Sequence, residues 1–245
     1  MQTVRDKLAG NELQFDAGHG EETHWIPLSD LMTGLMVMFL LIAVTYMIRV
    51  EADAYRVKEV AVAYTEIKDA LFNALNSEFK GDLQRWKAQL IKDDLAIRFT
   101  EPEVLFAEGS SDLKPEFRAI LGDFFPRYVR ILTSPKYRAS ISEVRIEGHT
   151  SSDWTGVTTP EDAYFRNMEL SQARTRSALV FALGLPEVSG ERGWLRQYLT
   201  ANGLSSSHPV FDASGVEDPA RSRRVEFRVR TDAETRIAKI LEVSK

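Results

Sequence analysis

The stretch HWIPLSDLMTGLMVMFLLIAVTYMIR, residues 24–49, decides the architecture of the chain, because its length and composition are those of a membrane-spanning helix. No charged residue lies between Leu31 and Ile48. A helix from Pro27 to Ile48 would be about 33 Å long, enough to cross a hydrocarbon core of roughly 30 Å with a small tilt. No comparable stretch follows it. We therefore predict a single-pass membrane protein whose transmembrane helix occupies residues 24–48.

Residues 1–23, which precede the span, are polar and contain several acidic side chains, and we expect them to form a flexible N-terminal segment. They are too long and too acidic for the start of a cleavable signal peptide, and no small-residue cleavage motif follows the apolar stretch. Basic residues flank the span almost equally on its two sides, so the positive-inside rule does not fix the orientation.

The composition of the chain excludes several classes of site. Its 245 residues carry 31 basic and 36 acidic side chains, and the resulting net charge of −5 gives no sign of a nucleic-acid partner. The absence of cysteine excludes a disulfide framework and a cysteine-ligated metal. The histidines are scattered without a His-x-x-x-His pair, so the sequence indicates no zinc hydrolase, no metal site and no cofactor.

Residues 49–94 contain no proline and are predicted to form a helical linker that serves dimerisation. Gly81 is expected to interrupt this region. Two interpretations of its apolar pattern are open: the helix packs against its own domain, or two copies pair as a short coiled coil. The pattern is a heptad seam with alternating spacings of three and four. Its members are Val57, Val60, Tyr64, Ile67, Leu71 and Ala74.

The pattern changes at Leu95, after which short alternating apolar runs indicate strands separated by helical stretches. This order of elements predicts an α+β domain over residues 95–232, built as a mixed sheet with helices on one face. Strands are predicted at residues 95–99, 103–110, 142–150 and 222–231. Helices are predicted at residues 113–132, 163–184 and 193–203, followed by a helical tail at 233–245.

Asp30 is an ionisable residue near the start of the apolar stretch, and two interpretations of it are open. Acidic residues cap helix N-termini, where the backbone dipole is positive. An acid inside a membrane, by contrast, usually faces a protein or an aqueous path and relays protons. Helical spacing places Asp30 on a face of small and polar residues suited to helix packing, which favours the second interpretation. That face comprises Thr33, Gly34, Val37, Met38, Leu41 and Thr45.

Three separated motifs in the predicted α+β domain resemble the OmpA-like peptidoglycan-binding domains of OmpA, Pal and MotB. They are VLFAEGSSDLKPEF at 104–117, IEGHT at 146–150 with the N-x-x-L-S-x-x-R helix that follows it, and SRRVEF at 222–227. The resemblance implies non-catalytic binding to the cell wall. In the family, an Asp after Gly-His-Thr and the Arg of the helix motif hold the diaminopimelate part of the stem peptide. The implied peptidoglycan-binding residues are Thr150, Asp153, Asn167, Leu170 and Arg174.

The sequence departs from the family pattern directly after Thr150. Ser151 stands where the family has its Asp, and Asp153 is the acidic residue close enough to take that place. Arg174 matches the family arginine, whose forked guanidinium suits a carboxylate ligand.

Two further expectations concern the surroundings of this site. Arg223 and Arg224 are expected to tie the start of the last strand to nearby carboxylates rather than to contact a ligand. A catalytic triad of His149, Asp153 and a nearby serine is disfavoured, because the sequence contains no nucleophile elbow there. We therefore expect no enzymatic activity.

The apolar stretch is itself similar to the transmembrane helix of MotB-type stator subunits, because Asp30 opens a D-x-M-T-x-x-M motif followed by a Phe-Leu-rich run. Its sequence at residues 25–36, WIPLSDLMTGLM, resembles that of the ZorB-type subunits of the Zorya anti-phage defence system. The resemblance implies a homodimer standing inside a pentamer of a polytopic MotA- or ZorA-like subunit. Asp30 would carry H⁺ or Na⁺ inward across the bacterial inner membrane, with the N-terminus in the cytoplasm and the C-terminal domain in the periplasm.

Three functions remain to be distinguished. The preferred one is the peptidoglycan-anchored B-type stator subunit of an ion-driven rotary motor that acts in anti-phage defence. The alternatives are a flagellar MotB-type stator subunit and a passive tether between membrane and cell wall without ion flow. Periodicity and spacing do not separate the defence motor from the flagellar one.

Overall fold

The structure, a computed structural model, describes residues 25–100, 105–107, 109–156 and 159–232, with only the backbone considered at residues 25–27, 59–61, 63 and 64. The chain divides into two compact units, of which the first ends at Tyr55 and the second begins at Arg56. The flexible segment predicted at residues 1–23 and the tail predicted at residues 233–245 lie outside the described residues.

The described part of the first unit, from Trp25 onward, is helical. Helix α1, Trp25–Phe79, begins in it, and one segment in the described part of the chain, Leu28–Lys58, is long and apolar enough to cross a membrane. Every residue from Leu28 to Tyr55 is exposed, because the described residues of the first unit provide no partner for this surface. The predicted N-terminal apolar helix is thereby confirmed.

The second unit contains the end of α1. Leu71, Leu75 and Phe79 recur every four residues along the helix and are fully buried in the core of this unit. Ala74 packs against the same core. Two members of the predicted heptad seam, Leu71 and Ala74, are therefore occupied by packing within the chain, as the first of the two interpretations of that seam requires.

The helical linker is shorter than the predicted 49–94. Helix α1 ends at Phe79, a series of turns covers residues 80–87, and Ala88–Ile91 forms strand β1. Lys87 adopts a positive φ of 52°, a conformation incompatible with a continuing helix. The prediction failed there because AQLI becomes a strand only by pairing with the next strand along the chain.

The remaining elements confirm most of the predicted order. They are β2 (Ala96–Phe99), α2 (Pro115–Leu132), β3 (Ile141–His149), α3 (Pro160–Gly184), α4 (Arg192–Tyr198), β4 (Leu199–Gly203), α5 (Pro219–Ser222) and β5 (Arg224–Thr231). Both long helices of this part, α2 and α3, have proline in the first turn, where its missing N–H leaves no helical hydrogen bond unmade. The backbone N–H of Asp162 donates to the side chain of Thr159, which caps α3.

The five strands form one sheet in the order β1-β2-β5-β3-β4. All neighbours are antiparallel except β3 and β4, which are parallel. The predicted mixed sheet is confirmed. The two longest strands, β3 and β5, lie side by side, with Ile146 opposite Phe227.

The two faces of this sheet differ in chemistry because side chains alternate along each strand. One face carries apolar side chains and is covered by α2, α3 and the end of α1, as predicted. Phe124 of α2 lies at its centre, with ring centroids 5.3 Å from Phe99 and 5.1 Å from Phe227. The other face carries alternating charges joined by ion pairs.

Two other predicted elements differ from the structure. Of the strand predicted at residues 103–110, the described residues show an isolated bridge between Phe106 and Leu113. The helix predicted at residues 193–203 ends at Tyr198, and Leu199–Gly203 forms strand β4. Both differences come from pairing with distant residues, which local propensity does not contain.

Candidate functional site

A cavity of about 680 Å³ lies beside the C-terminal end of β3 and is the main candidate site. This volume falls in the range of roughly 300–1,000 Å³ that is typical of small-molecule pockets. Four segments line it: the stretch before α2, the loop after β3, one face of α3, and the residue before β5. The lining residues are Phe106, Ala107, Gly109, Lys114, Thr150, Ser151, Asp153, Trp154, Thr155, Asn167, Leu170, Arg174 and Arg223.

The structure brings the five predicted peptidoglycan-binding residues together in this cavity. Thr150 and Asp153 come from the loop, and Asn167, Leu170 and Arg174 come from α3, where spacings of three and four place them on one face. The sequence therefore predicted a spatial cluster correctly. That these residues bind peptidoglycan stays a prediction.

Helix α3 reaches the cavity because two glycines let it lie directly on the sheet. A Cβ added at Gly148 of β3 would stand 2.7 Å from Cγ2 of Thr175, and one at Gly203 of β4 would stand 2.3 Å from the backbone nitrogen of Gln172. Such distances are shorter than any contact between real Cβ atoms and other heavy atoms. The absence of a side chain at these two positions therefore fixes the height of α3 above the strands.

The loop after β3 is held at both of its sides. Nδ2 of the buried Asn167 donates hydrogen bonds to the backbone oxygens of Ser151, at 3.0 Å, and Asp153, at 3.3 Å. The backbone N–H of Ser152 donates to the Glu217 carboxylate at 3.1 Å, and the Ser152 hydroxyl bonds the same carboxylate. The asparagine of the helix motif thus has a structural role that its motif position alone did not reveal.

Two polar side chains of this loop lie beside the cavity. Thr150 is buried and its backbone N–H donates to the Ser205 carbonyl at 3.0 Å, but its hydroxyl has no hydrogen-bond partner within the described structure. Asp153 is exposed and lines the cavity. Ser151 is buried and holds the place of the family Asp. Asp153 is thus the carboxylate of this loop that lines the cavity, and that it takes the place of the family Asp stays a prediction.

Arg174 is fixed in place by its neighbours. Its Nε donates to the Ser110 carbonyl at 2.9 Å, its Nη2 donates to the Ala107 carbonyl at 3.4 Å, and the guanidinium carbon lies 5.0 Å from the centre of the Phe106 ring. Burial and the charge of Arg223 lower the pKa of Arg174 to about 10. Because a guanidinium has five N–H groups, Arg174 keeps donors for a carboxylate after making these two bonds.

Both arginines were predicted to tie the start of the last strand to nearby carboxylates. The prediction is confirmed for Arg224 and wrong for Arg223. Nε of Arg224 donates to Glu226 at 2.6 Å, so this residue does tie the strand start to a carboxylate. Arg223 instead lines the cavity. Its backbone N–H donates to the Pro219 carbonyl at 3.1 Å, but its guanidinium has no hydrogen-bond or ion-pair partner among the described residues. Arg224 begins β5 and lies on the polar face of the sheet, whereas Arg223 lies in the bend between α5 and β5 and faces the cavity.

Phe106, Lys114 and Trp154 are among the other cavity residues that the sequence motifs did not single out. Phe106 and Lys114 lie inside the first family motif, and Trp154 directly follows Asp153. Proximity to these motifs was a usable signal for all three, but nothing in the sequence states which side of its backbone each side chain occupies.

A buried charged cluster lies on the polar face of the sheet, next to the cavity. The ligand atoms of Glu147, His149 and Glu226 lie within 4.8 Å of one another, a spacing that a metal ion could bridge. Arginines, however, already occupy these carboxylates: Arg228 Nε lies 3.2 Å from Glu147, and Glu226 pairs with two further arginines. These fixed positive charges disfavour a cation, and the cluster is best described as an ion-pair network.

His149 is electrostatically neutral in this network. Burial and the charge of Arg224 lower the pKa of His149 to about 3, and neither ring nitrogen has a hydrogen-bond partner within the described residues. A catalytic histidine needs a group that orients its ring, so the geometry offers no support for a triad of His149 with Asp153.

Asp30 is exposed in the first unit and shares a face of α1 with the predicted small residues. Thr33 uses its hydroxyl within the helix, donating to the Ser29 carbonyl at 2.7 Å. A Cβ at Gly34 would meet no atom within 4 Å. Val37 and Leu41 are exposed on the same face, so the described residues of the first unit leave this face accessible to another helix.

Comparison with known proteins identified one close relative. The chain is 48% identical over 237 residues to the Zorya protein ZorB of Escherichia coli, which covers 97% of this chain and 99% of the relative. No model of a known protein family matches the chain.

Several solved structures are similar at low sequence identity. A cell wall anchor of the type VI secretion system from Pseudomonas aeruginosa is 24% identical over 64% of this chain and 96% of its own, with a TM-score of 0.42. A MotB-like protein from Desulfovibrio vulgaris is 22% identical over 71% and 94%, with a TM-score of 0.48. The periplasmic domain of Helicobacter pylori MotB (residues 97–256) is 15% identical over 64% and 97%, with a TM-score of 0.41.

Proposed function

Because the chain belongs to the ZorB family of Zorya proteins, we propose that it is the wall-anchored stator subunit of an ion-driven membrane motor that acts in anti-phage defence. One part of the protein would carry the ion, and the other would hold the subunit still against the cell wall. The observation that supports this most directly is the presence of both devices in one chain: an acid on an open helix face, and a cavity built for an anion.

The cavity supports binding of a peptidoglycan stem peptide. Arg174 is held rigidly and keeps N–H donors for a carboxylate. Thr150 offers an unused hydroxyl, and Asp153 offers a carboxylate for an ammonium group. A diaminopimelate residue carries a carboxylate and an ammonium on its side chain, so these three groups are complementary to it.

The apolar helix supports the ion-carrying part of the proposal. A protonated Asp30 is neutral and tolerates a membrane environment, whereas an ionised Asp30 requires a polar contact on a neighbouring protein. Moving one charge through a membrane potential releases about 2.3 kcal/mol per 100 mV. That energy is comparable to the cost of moving a carboxylate between polar and apolar surroundings near the membrane edge.

The proposed partner is a pentameric, polytopic ZorA-like subunit that surrounds two copies of this chain. The open face at Thr33, Gly34, Val37 and Leu41 would pack against that ring, because small residues allow helix backbones to approach closely. The ion would be H⁺ or Na⁺, and the domain beyond the helix would lie in the periplasm.

The N-terminal part of the heptad seam is the segment left for pairing of the two copies, so Val57→Cys should form disulfide-linked dimers in membranes. A monomer alone would contradict pairing at this seam.

The decisive experiment removes the charge of Asp30 without changing its shape. Cells carrying Asp30→Asn in the complete defence system should lose phage protection, and vesicles containing the complex should lose ion flux. Glu51→Gln is the matched control, since it removes an exposed acid from the same helix outside the proposed ion path. Full phage protection by the Asp30→Asn variant, together with no ion flux through the wild-type complex, would support a passive tether. Restored swimming of a stator-deficient strain that carries this chain would support a flagellar role.

A further inference from the structure

The cavity contains more positive charge than one carboxylate requires. Of its described lining residues, three are basic and one, Asp153, is acidic. Arg174 and Arg223 lie close enough for the charge of one to lower the pKa of the other. Two like charges beside one cavity repel each other, and a bound group with more than one negative charge relieves that repulsion.

The two arginines are not equivalent. Arg174 is buried and anchored to two carbonyl groups. Arg223 is half-buried, and no hydrogen bond or ion pair engages its guanidinium within the described part of the chain. A guanidinium that is partly desolvated without a partner gains strongly from a carboxylate, because a charge-assisted hydrogen bond replaces lost water contacts.

We propose that Arg223 binds a second carboxylate of the stem peptide, beside the one held by Arg174. This inference rests on the proposed wall-binding function and narrows its ligand. The bound end carries two carboxylates, one for each arginine, and one ammonium group for Asp153. A stem peptide that ends in diaminopimelate with both of its carboxylates free has this set of charges, and amidation of one carboxylate removes one of them.

The test measures binding of a defined probe by isothermal titration calorimetry with the full-length protein in detergent micelles. The probe is the synthetic tripeptide L-alanyl-γ-D-glutamyl-meso-diaminopimelate, used with its terminal carboxylate free and with that carboxylate amidated. Wild type should bind the free form on the order of tenfold more tightly than the amidated form, the value of one charge-assisted contact.

The variant Arg223→Ala should bind the free peptide about tenfold more weakly than wild type and should no longer distinguish the two forms. Arg223→Gln, which keeps most of the side-chain volume, should behave the same way and separates lost contact from lost packing. Arg221→Ala is the matched control, because it removes an exposed arginine two residues away that does not line the cavity; it should behave as wild type.

The possible failures are distinguishable. If wild type binds the free peptide and the Arg223 variants bind as tightly or still prefer the free form, the second-carboxylate subsite is wrong and wall binding stands. If wild type binds neither peptide, the result contradicts both the proposed wall-binding function and the proposed subsite.

Discussion

Nδ2 of Asn167 donates a hydrogen bond of 3.0 Å to the backbone oxygen of Ser151. A side chain of α3 thus holds the backbone of the loop at Ser151. The contact is buried, and Asn167 donates in addition to the Asp153 carbonyl. The position of the Asp153 carboxylate therefore depends on a residue that does not itself carry charge.

Replacement of this asparagine should loosen the loop. Asn167→Ala leaves two backbone oxygens without their donor, and we expect it to lower the free energy of unfolding by about 1–3 kcal/mol. It should also weaken binding to purified sacculi, because Asp153 would lose its fixed position. Urea unfolding and sacculus pull-down measure the two effects. Arg166→Ala, at the exposed neighbouring position, should change neither; a stable variant with a normal pull-down would contradict the role of Asn167.

Arg174 should be required for wall binding, and a lysine, which keeps only the positive charge, should not replace it. Arg174→Ala should abolish pull-down by sacculi, and Arg174→Lys should restore little of it, because lysine cannot donate to Ser110 and to a ligand from a planar fork. Arg176→Ala removes an exposed arginine from the same helix and should bind normally. Wild-type binding by the lysine variant would show that position and planarity are unimportant.

The buried His149 should make stability depend on pH. The pKa of His149 is about 3 in the folded protein, against about 6.5 in an unfolded chain. Between these values the unfolded chain binds the additional proton, so stability is complete above about pH 6.5 and falls as the pH drops, by about 1.4 kcal/mol per unit. His149→Gln should reduce this slope in urea unfolding measured from pH 7 to 5, whereas His208→Gln, at an exposed position, should keep it. Equal slopes in all three proteins would contradict a buried neutral histidine.

Gly203 should not tolerate a side chain. Gly203→Ala places a Cβ against the backbone of Gln172, so α3 must shift away from β4, at a cost of about 1–3 kcal/mol. Gly193→Ala is the matched control, because no atom lies within 4 Å of its added Cβ and alanine favours the helix there. We expect a lower melting temperature for the first variant and an equal or higher one for the second. An unchanged Gly203→Ala protein would show that the contact between helix and sheet is adaptable.

The end of α1 should behave as part of the C-terminal unit rather than as a free linker. Leu75 is fully buried, and Leu75→Ala should lower the free energy of unfolding by about 2–5 kcal/mol. Val62→Ala, on the exposed surface of the same helix, should cost little. Unfolding followed by near-ultraviolet circular dichroism compares the two. Similar stabilities would mean that the helix end contributes little to the core.

The sequence predicted those features that are encoded by neighbouring residues. The apolar helix follows from an uninterrupted run without charges, and α2, α3, β3 and β5 follow from local periodicity, proline positions and alternation. Strands β1 and β4 were missed because AQLI and LTANG are short and have a defined conformation only beside their partner strands. The sequence pattern also does not show which face of α3 is buried: Val180 is 60% exposed, whereas Asn167 and Arg174 are buried, because a polar site lies beneath this helix.

The sequence by itself determined which residue types are present at the two functional places, an acid in an apolar helix and a set of polar residues in a family motif. Only the tertiary structure decided which of them act together. Arg223 and Arg224 are adjacent in the chain, yet one lines the cavity and the other pairs with Glu226. The reason is physical: the chain turns from a bend at Arg223 into β5 at Arg224, and the close packing of α3 on Gly148 and Gly203 determines which side chains meet in the cavity.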